Sequence, residues 1–362
     1  MLIKLNLELL QKSDYQKWDD FVNLHPNSTI FHTIQWKTVI EKSFHYQPLY
    51  LVLKNSENKI VGIVPSFLVT KLGILNKIII SLPFFEYGGL LIQRGYEEGY
   101  SIILNFYKEQ VKSQKIKYIE IKSGVNNYDD YSDYFIKEGF QKTLQAFDFY
   151  INVKDKNFER DILFGLIKSK SRIRNSVKKA IKSGVVIRNM NDVDIFYSLY
   201  LKTIERLGSL PLPKILFTNI QKYCRDSVKL TIAYFNNKPI SALLSFLYNK
   251  RDLMVVLGSD YLYQQYRSND LLYYNEIKYA IENQFEILDF GRTRPNSSYE
   301  RYKKKWGAAR SNLNSYIYPF NMSHKVNFYR LYLLFSPITK HNFLWKIITR
   351  TQIAKYLIKR LP

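Results

Sequence analysis

Two stretches of this chain follow the same order of strand-like and helix-like segments, and this repetition limits the possible folds more than any other feature. The first stretch has strands, a helix and a further strand at Gln47–Lys54, Lys59–Thr70, Lys77–Leu82, Glu97–Ser113 and Tyr118–Lys122. The second has them at Leu230–Phe235, Ile240–Tyr248, Leu253–Gly258, Asn269–Asn283 and Ile287–Phe290. Runs of β-branched and aromatic residues between short polar turns favour antiparallel strands. We therefore predict an α+β (mixed α/β) fold with two domains of one layout, residues 1–153 and 154–320.

The length and composition exclude several classes of protein. A chain of 362 residues can bury a core in each of two domains. The single cysteine, Cys224, excludes an internal disulfide and a cysteine-based metal centre, and the five histidines lack metal-ligand spacing. The N-terminal segment does not have the pattern of a secretory signal, and no apolar run reaches the ~20 residues that span a bilayer. We expect a cytoplasmic protein without a metal.

The chain is strongly basic, with a net charge of +23, and no Asp or Glu follows Glu300. In the tail, residues 321–362, bulky apolar side chains are interleaved with Lys and Arg over Phe343–Leu361. This mixture is typical of a basic amphipathic helix that lies on an anionic membrane surface, which is our first expectation for the tail. A helix docked on a domain with its charges in water is nearly as well supported, and a nucleic-acid contact ranks third.

The densest basic run inside the chain, Lys168–Lys182, has seven positive charges and no acid. On a helix its apolar residues form one face, and the cations project from the rest. The apolar residues are Ile173, Val177, Ala180 and Ile181. The common explanation of such a run is a solvated helix face. The functional alternative is a phosphate platform, with Arg172, Arg174 and Lys178 contacting a nucleotide-linked sugar, a lipid pyrophosphate or a tRNA backbone.

The segment Asp289–Gly307 is the most unusual in the chain, because aromatic and basic residues follow directly on a predicted strand. Loops at the carboxyl ends of strands commonly build binding sites. Asp289-Phe290-Gly291 copies a kinase triplet, but no glycine-rich phosphate loop or His-Arg-Asp loop accompanies it, which excludes a kinase. The alternative is structural, with Phe290, Tyr302 and Trp306 as core residues and the cations in water.

The turn Glu86-Tyr87-Gly88-Gly89 has two glycines that allow positive φ or close backbone approach, and a structural use is its default interpretation. No Gly-x-Ser-x-Gly sequence occurs, so a serine hydrolase of that type has no support.

Several of these segments together resemble the FemAB-like transferases, particularly the subgroup found beside exopolysaccharide and exosortase loci. The segments that carry the resemblance are Phe31-His-Thr-Ile-Gln-Trp36, Tyr50-Leu-Val-Leu53, Ile60-Val-Gly-Ile-Val-Pro65, Glu86-Tyr-Gly-Gly89, Lys182-Ser-Gly-Val185, Asp289-Phe-Gly-Arg292, Tyr302-Lys303 and Trp306-Gly307. The resemblance covers roughly residues 10 to 320, and its specificity lies in the order and spacing of the segments. It implies two tandem acetyltransferase-like (GNAT) domains and transfer of an acyl group to an amine.

The resemblance also implies roles for individual residues. Lys303 lies where the family's Phe-Lys motif has its functional lysine, with Tyr302 in place of Phe, so it would contact the acyl donor or the developing oxyanion. Arg292 and Arg294 would bind phosphate. Asp289 and Glu86 are candidate bases by position alone, and Tyr87 and Tyr302 would line the substrate site. The co-substrate would be aminoacyl-tRNA or acyl-CoA, with no resident cofactor.

Two departures from the family affect the identity of the donor. Tyr266–Asp270 has no glycine where a CoA-binding GNAT domain has a glycine-rich turn, which disfavours acetyl-CoA but allows a longer acyl donor. No charged helical hairpin is inserted in the second domain, which weakens the case for tRNA.

The leading expectation is an aminoacyl- or acyltransferase that acts on a peptidoglycan or lipid-linked glycan precursor at the cytoplasmic face of the membrane. An anionic lipid-linked or nucleotide-linked precursor would be its acceptor. The alternatives are an acyl-CoA-dependent enzyme that acylates an amino sugar, and a non-catalytic module that recruits other enzymes to the membrane.

Overall fold

A computed structural model of the protein describes residues 4–71, 76–85, 87–125, 131–157, 170–209 and 211–320. The predicted basic tail at 321–362 and the first part of a helix predicted from Phe158 lie outside the described residues. Within the described residues, none of the helices combines the length and hydrophobicity that a membrane crossing requires.

Strands and helices both contribute to the described residues, in agreement with the predicted α+β class. The strands are β1 (Asn6–Leu9), β2 (Gln47–Pro48), β3 (Leu51–Lys54), β4 (Ile60–Val64), β5 (Phe67–Lys71), β6 (Asn76–Ile80), β7 (Leu91–Ile92), β8 (Ile116–Lys122), β9 (Gln141–Asn152), β10 (Val186–Asn189), β11 (Val228–Phe235), β12 (Lys238–Tyr248), β13 (Arg251–Ser259), β14 (Ile287–Asp289) and β15 (Ala309–Tyr318). The helices are α1 (Tyr15–Leu24), α2 (Ile34–Phe44), α3 (Glu98–Ser113), α4 (Ser132–Lys137), α5 (Lys170–Lys182), α6 (Val193–Leu207), α7 (Lys214–Tyr223), α8 (Ser268–Glu282) and α9 (Ser298–Lys305).

The described residues form two compact units, and the sequence of the second is inserted in that of the first. Unit 1 holds the residues up to Ala146 together with 312–320, and unit 2 holds those from Phe147 to Ser311. The predicted domains, 1–153 and 154–320, differ from these units at both limits. Residues 312–318 lie with unit 1 because β15 pairs with β8 through Ser315–Tyr318 and Ile119–Lys122.

Unit 1 contains two sheets. One has the order β1-β3-β4-β7, and the other includes β2, β5, β6, β8 and the end of β15. Helix α3 packs on β8 because its buried residues recur at intervals of three and four and so share one face. They are Tyr100, Ile103, Leu104 and Tyr107, all within the core cluster that also contains Ile119 and Ile121 of β8.

In unit 2, strands β10, β11, β12 and β13 form an antiparallel meander, and β14 joins β13 in parallel. The end of β9 completes this sheet on the other side of β14. Helices α5 and α8 contribute Val177, Leu272 and Ile277 to the core that covers it. Apart from the short β7, which lies in the other sheet, the order β12-β13-α8-β14 matches the order β5-β6-α3-β8 of unit 1, so the predicted repeat is confirmed for these four elements. The predicted strands Gln47–Lys54 and Lys59–Thr70 are each divided between the two sheets of unit 1, as β2 and β3 and as β4 and β5.

Candidate active site

Strands β13 and β14 run side by side for only three residues. Arg251–Leu253 pair in parallel register with Ile287–Asp289. Strand β13 then continues to Ser259, and among the described residues no strand pairs with it on this side beyond Leu253. We call this opening, between residues 254–259 of β13 and residues 290–294, the β13 fork. An open strand edge presents backbone N–H and C=O groups that a ligand can satisfy.

The segment after β14 leaves β13 because it stays hydrogen-bonded to β9. The Phe290 N–H donates to the Phe149 carbonyl at 2.7 Å. Phe147 and Thr293 then exchange backbone hydrogen bonds of 2.9 and 2.7 Å. The fork is therefore fixed by strand pairing on its far side.

Gly291 lies where the two backbones separate. Its φ is +68°, a conformation that side chains disfavour. A Cβ atom at this position would lie 2.6 Å from the Met254 carbonyl oxygen. The fork therefore requires glycine here for two independent reasons.

A β-bulge in β13 accompanies the fork. Leu244 of β12 faces Val256, but the next residue, Ser245, faces Met254, so Val255 is the extra residue of β13. Bulges bend a strand and raise its twist. This bulge, at Val255, lies directly after Leu253, the last residue of β13 that pairs with β14.

Lys303 lies in the last turn of α9, a helix whose start is fixed by a capping interaction. The Ser297 hydroxyl accepts from the Glu300 N–H, and the Glu300 carboxylate accepts from the Asn296 N–H. Lys303 is only 3% exposed, and its Nζ donates to the carbonyl oxygens of Gly291 at 2.7 Å and Arg292 at 3.2 Å. The ammonium group therefore holds the turn that forms one side of the fork.

Burial lowers the pKa of Lys303 to about 8, although the carboxylates of Asp148 and Asp289 act in the opposite direction. Desolvation disfavours the charged form of a buried lysine, and nearby carboxylates favour it. At neutral pH the group is still mainly the cation, and it loses its proton in mildly basic solution.

The Asp289 carboxylate is fully buried and is engaged on both oxygens. One accepts from the Arg251 guanidinium at 2.7 Å, and the other accepts from the Gly291 N–H at 2.7 Å. Asp289 therefore ties β13 to the turn at Gly291. A carboxylate held in this way suits the positioning of the turn better than the removal of a proton from a substrate.

Tyr302 connects α9 to the first turn of α8. Its hydroxyl donates to the Asp270 carboxylate at 2.8 Å, and its ring lies edge-on to Tyr273. Burial raises the pKa of Tyr302 well above its usual value and also raises that of Asp270. Both residues are half-buried, and their hydrogen bond holds α8 and α9 together.

The turn before α8 forms without the glycine residues that a CoA-binding GNAT domain has there. Arg267, the residue before the helix, adopts the left-handed conformation that glycine usually supplies, with φ of 58°. Its side chain is exposed, and the positive ends of the first N–H groups of α8 lie beside it. The missing glycine therefore does not remove the turn.

The basic run lies on α5. Arg172 and Lys178 are exposed, and Arg174 is half-buried. Ile173, Val177 and Ala180 are buried, but Ile181, which the pattern grouped with them on one apolar face, is 56% exposed and does not share that buried face. Ile181 lies one turn beyond Val177, where the helix ends against solvent.

Arg292 and Arg294 are both exposed, whereas Thr293 between them is buried. This alternation follows from the extended backbone bridge of Thr293 with Phe147. The two guanidinium groups therefore project from the segment that borders the fork.

The Glu86–Gly89 turn belongs to unit 1. Glu86 lies outside the described residues, while Tyr87 is buried, has φ of 66° and stacks with Phe31. The buried His32 donates through its Nε2–H to the Gly89 carbonyl at 3.0 Å, while its Nδ1 accepts from the Thr29 N–H. The motifs around Phe31 and Gly89, far apart in sequence, thus form one packed cluster.

A buried polar network beneath the sheet of unit 2 was not anticipated from the sequence. The Glu276 carboxylate of α8 accepts from the Ser245 hydroxyl at 2.6 Å and pairs with Lys229 at 2.9 Å. Burial, together with the neighbouring Glu276, raises the pKa of Asp252 well above its usual value. The available signal was polar side chains inside otherwise apolar strands.

Among the described residues, no group of His, Cys, Asp and Glu side chains is arranged to hold a metal ion.

Residues 168–304 match the family described as an acetyltransferase (GNAT) domain. The sequence matches no curated protein. Solved structures with a similar fold include FemX, with a TM-score of 0.67 and 16% identity, covering 89% of this chain and 99% of that one.

Two further structures share the fold. One is the C-terminal domain of a putative lysylphosphatidylglycerol synthetase from Agrobacterium fabrum, with a TM-score of 0.59, 8% identity, and coverage of 87% of this chain and 95% of that one. The other is a tandem GNAT protein from the clavulanic acid biosynthesis pathway, with a TM-score of 0.52, 10% identity, and coverage of 87% and 98%. The chain therefore has a tandem GNAT fold and carries an acetyltransferase (GNAT) domain over residues 168–304, which supports an acyltransferase.

Proposed function

We propose that this protein transfers an aminoacyl or acyl group to an amine of a cell-envelope precursor, a peptidoglycan or lipid-linked glycan unit, and that the β13 fork binds the donor. The observation that carries the proposal is the fork itself, an opening in the sheet where no strand of the described part of the chain pairs with this side of β13 beyond Leu253. Its position inside the matched domain supports the assignment.

The reaction needs a polarised carbonyl and a positioned amine. The amine nitrogen attacks the carbonyl carbon of the donor, a C–N bond forms, and the C–O bond of an ester or the C–S bond of a thioester breaks. One proton leaves the amine, and the departing oxygen or sulfur takes one up. Backbone N–H groups on the open edge of β13 are preorganised donors for the oxyanion that develops.

Lys303 contributes a buried positive charge beside the fork. Because its ammonium group is bound to the carbonyls of Gly291 and Arg292, it stabilises the turn and adds positive potential where negative charge develops. Asp289 acts in this proposal as a positioning residue through Arg251 and Gly291. Glu86 stays a candidate base by position.

The donors under consideration, aminoacyl-tRNA and acyl-CoA, both carry phosphate. The N-terminus of α8 and the exposed Arg267 form a favourable environment for it. The exposed Arg292 and Arg294 add positive charge beside the fork. Arg172, Arg174 and Lys178 of α5 extend the basic surface, and Tyr87 and Tyr302 stay candidate contacts for the substrates.

The acceptor is inferred from the relatives and from the charge. FemX and a putative lysylphosphatidylglycerol synthetase share the fold, and the second name describes an aminoacylated lipid. A net charge of +23 favours an anionic precursor and an anionic membrane surface. We place the reaction at the cytoplasmic face of the membrane, with the tail at 321–362 in contact with lipid, in an exopolysaccharide or peptidoglycan pathway.

The purified protein, incubated with labelled aminoacyl-tRNA or acyl-CoA and a lipid extract, tests the proposal. We expect label in the lipid-linked fraction, reduced by Lys303→Met and unchanged by Lys304→Met, an exposed lysine of the same helix that pairs with Glu300. Transfer from tRNA identifies an aminoacyltransferase, and transfer from CoA to a free amino sugar identifies the alternative acyltransferase. Binding of both pools without transfer would contradict the enzyme and favour the recruitment module.

A further inference from the structure

The 3-10 turn Tyr261–Tyr266, between β13 and α8, presents two large apolar side chains to solvent. Leu262 is 77% exposed and Tyr261 is 55% exposed. We call this pair the apolar knob. Isolated exposed apolar residues are common, but two adjacent ones at the tip of a turn indicate a contact surface.

The knob is held outward by a well-fixed turn. The buried Asp260 accepts from the Leu262 N–H at 3.1 Å and pairs with Lys202 at 2.5 Å. The next aromatic residues of the turn pack inward, because Tyr266 stacks on Phe235 with 4.0 Å between ring centroids. The exposed position of the knob is therefore imposed by the capping interaction and by this packing.

Positive charges surround the knob. The Arg206 guanidinium lies 5.6 Å from the centre of the Tyr261 ring, and the Lys238 ammonium lies 4.9 Å from the centre of the Tyr263 ring. Arg267 follows at the end of the turn and is exposed. The segments 233–240 and 261–269 contain no Asp or Glu.

The knob lies at the end of the sheet toward which the β13 fork opens. Strand β13 passes the fork, ends at Ser259 and leads directly into the turn, after which α8 begins. The β11–β12 turn, with the exposed Asn236 and Asn237, lies at the same end because Ser259 pairs with Ser241, near the start of β12.

We propose that the apolar knob and the cations around it form a docking surface for an anionic lipid bilayer. A leucine and a tyrosine inserted at headgroup level remove apolar surface from water, and lysine and arginine side chains bind the anionic headgroups. Charge complementarity decides the occupant: the two segments contain Lys238 and Arg267 and no acid, the flanking Asp260 and Asp270 are bound to Lys202 and Tyr302, and the whole chain carries +23.

Unit 1 provides a natural contrast. Leu24 is 85% exposed, more than Leu262, but it borders a cleft whose lining has three acids, Asp20, Glu57 and Glu97, beside three cations, Lys17, Lys59 and Arg94. A lining without a net positive charge gives an anionic surface no electrostatic attraction. Exposure alone therefore does not define the docking surface, and Leu24 serves as a matched control.

Docking through the knob would bring lipid headgroups to the opening of the fork. The acceptor of the proposed reaction would then be a molecule of the membrane. This consequence rests on the proposed function, whereas membrane docking itself does not. A lipid-borne amine could then reach the donor without leaving the bilayer surface.

Fluorescence of the full chain with Leu262→Trp tests the docking surface. On addition of vesicles of phosphatidylglycerol and phosphatidylcholine, we expect a blue shift relative to the parent chain, and none with phosphatidylcholine alone. Leu24→Trp should show no shift beyond that of the parent chain with either vesicle, because both carry the same Trp345 in the tail. Equal shifts for the two variants, or no shift for Leu262→Trp, would overturn the proposal.

Leu262→Ser provides a second measurement. Its affinity for the anionic vesicles should fall about tenfold in sedimentation, because one buried leucine is lost, while Leu24→Ser should keep the parent affinity. Turnover of a water-soluble acceptor should be unchanged, which separates failure of docking from failure of the proposed function. Unchanged vesicle affinity, or a change of molar mass in light scattering that marks a protein contact, would refute the docking surface.

Discussion

Units 1 and 2 contain the same pair of parallel strands connected by a helix, yet only the pair in unit 2 opens. In unit 1, β6 pairs with β8 up to Ile80, and the Ser81 N–H continues the pairing with the Glu120 carbonyl at 2.9 Å. In unit 2, the pairing of β13 with β14 stops after Leu253. The comparison teaches that one layout can give a closed pair of strands or an open strand edge, depending on where strand pairing ends.

The segment after β6 also fills the space that a ligand would need. The buried Lys122 ammonium donates to the Phe85 carbonyl, and a Cβ atom on Gly89 would lie 2.4 Å from the Tyr131 hydroxyl. The corresponding cation of unit 2, Lys303, instead binds the carbonyls beside an open edge. We therefore assign the donor to unit 2 alone.

The largest effect is expected from closing the fork with Gly291→Val. The new side chain meets the Met254 carbonyl and occupies a left-handed position, so donor binding and transfer should be lost. Donor affinity measured by calorimetry tests this expectation.

Gly184→Val is the control for that variant. Gly184 also has a positive φ, +82°, but nothing lies within 4 Å of the position of its Cβ. It carries the backbone strain without the clash, so its donor affinity should stay near that of the parent. Equal losses of donor affinity in the two variants would show that backbone strain, and not the clash with the Met254 carbonyl, causes the effect. The proposed difference between the units would then be wrong.

Removing the buried cation with Lys303→Met should lower the transfer rate about 10²–10³-fold, as for the loss of one preorganised donor. Circular dichroism and thermal unfolding should show a folded protein, since a neutral side chain avoids an unpaired buried charge. A rate within the error of the parent would remove Lys303 from the proposed site.

The pH dependence of the transfer rate tests which protonation state of Lys303 acts. Its pKa in the folded chain is lowered to about 8 from 10.5. If the charged form acts, the rate should fall as pH rises through about 8, and Lys303→Met should lose this limb. The free energy of unfolding changes with pH in the opposite direction. Between about pH 8 and pH 10.5 the unfolded chain binds more protons than the folded chain, so this group makes folding more favourable as pH rises. A rate that rises through the same range would indicate that the neutral amine acts.

A smaller effect on rate is expected from Asp289→Asn, because the side chain positions the Gly291 turn and does not remove a proton. Transfer should fall about tenfold in kcat with an unchanged pH profile, and the free energy of unfolding should fall by about 3–5 kcal/mol as the buried Arg251 loses its partner. Loss of the acidic limb of the profile would instead identify Asp289 as the base.

The smallest effect on donor binding is expected from Gly89→Ala in unit 1. Crowding against the Tyr131 hydroxyl and the Lys122 carbonyl should destabilise the protein by about 1–3 kcal/mol. Donor affinity of the folded protein should not change. A weakened donor site would show that unit 1 takes part in donor binding.

The repeated layout and most of the elements could be predicted from the sequence, since strands such as β11–β13 and helix α8 have strong apolar patterns between clear turns. Helix α9 escaped prediction because its eight residues contain few apolar side chains and its start depends on the Ser297 cap. The sequence also pointed to Lys303 and Asp289 through the family resemblance.

The geometry of the site could not be predicted in the same way. The fork depends on the pairing of residues after Asp289 with Phe147 and Phe149, which are more than a hundred residues away in sequence. The left-handed Arg267 replaces an expected glycine without any local signal. Such features are decided by tertiary contacts, which local patterns do not encode.

The return of β15 to unit 1 has a consequence for the biosynthesis of this chain. Tyr316 is fully buried in unit 1, against Tyr131 and Phe135. The ribosome synthesises Phe147–Ser311, the described part of unit 2, before it reaches this residue, so the N-terminal part of unit 1 emerges with an unfilled core and without the partner of β8 on that edge. The first unit to begin folding is therefore the last to be completed, and a chain truncated before residue 312 would present that open edge to chaperones and proteases.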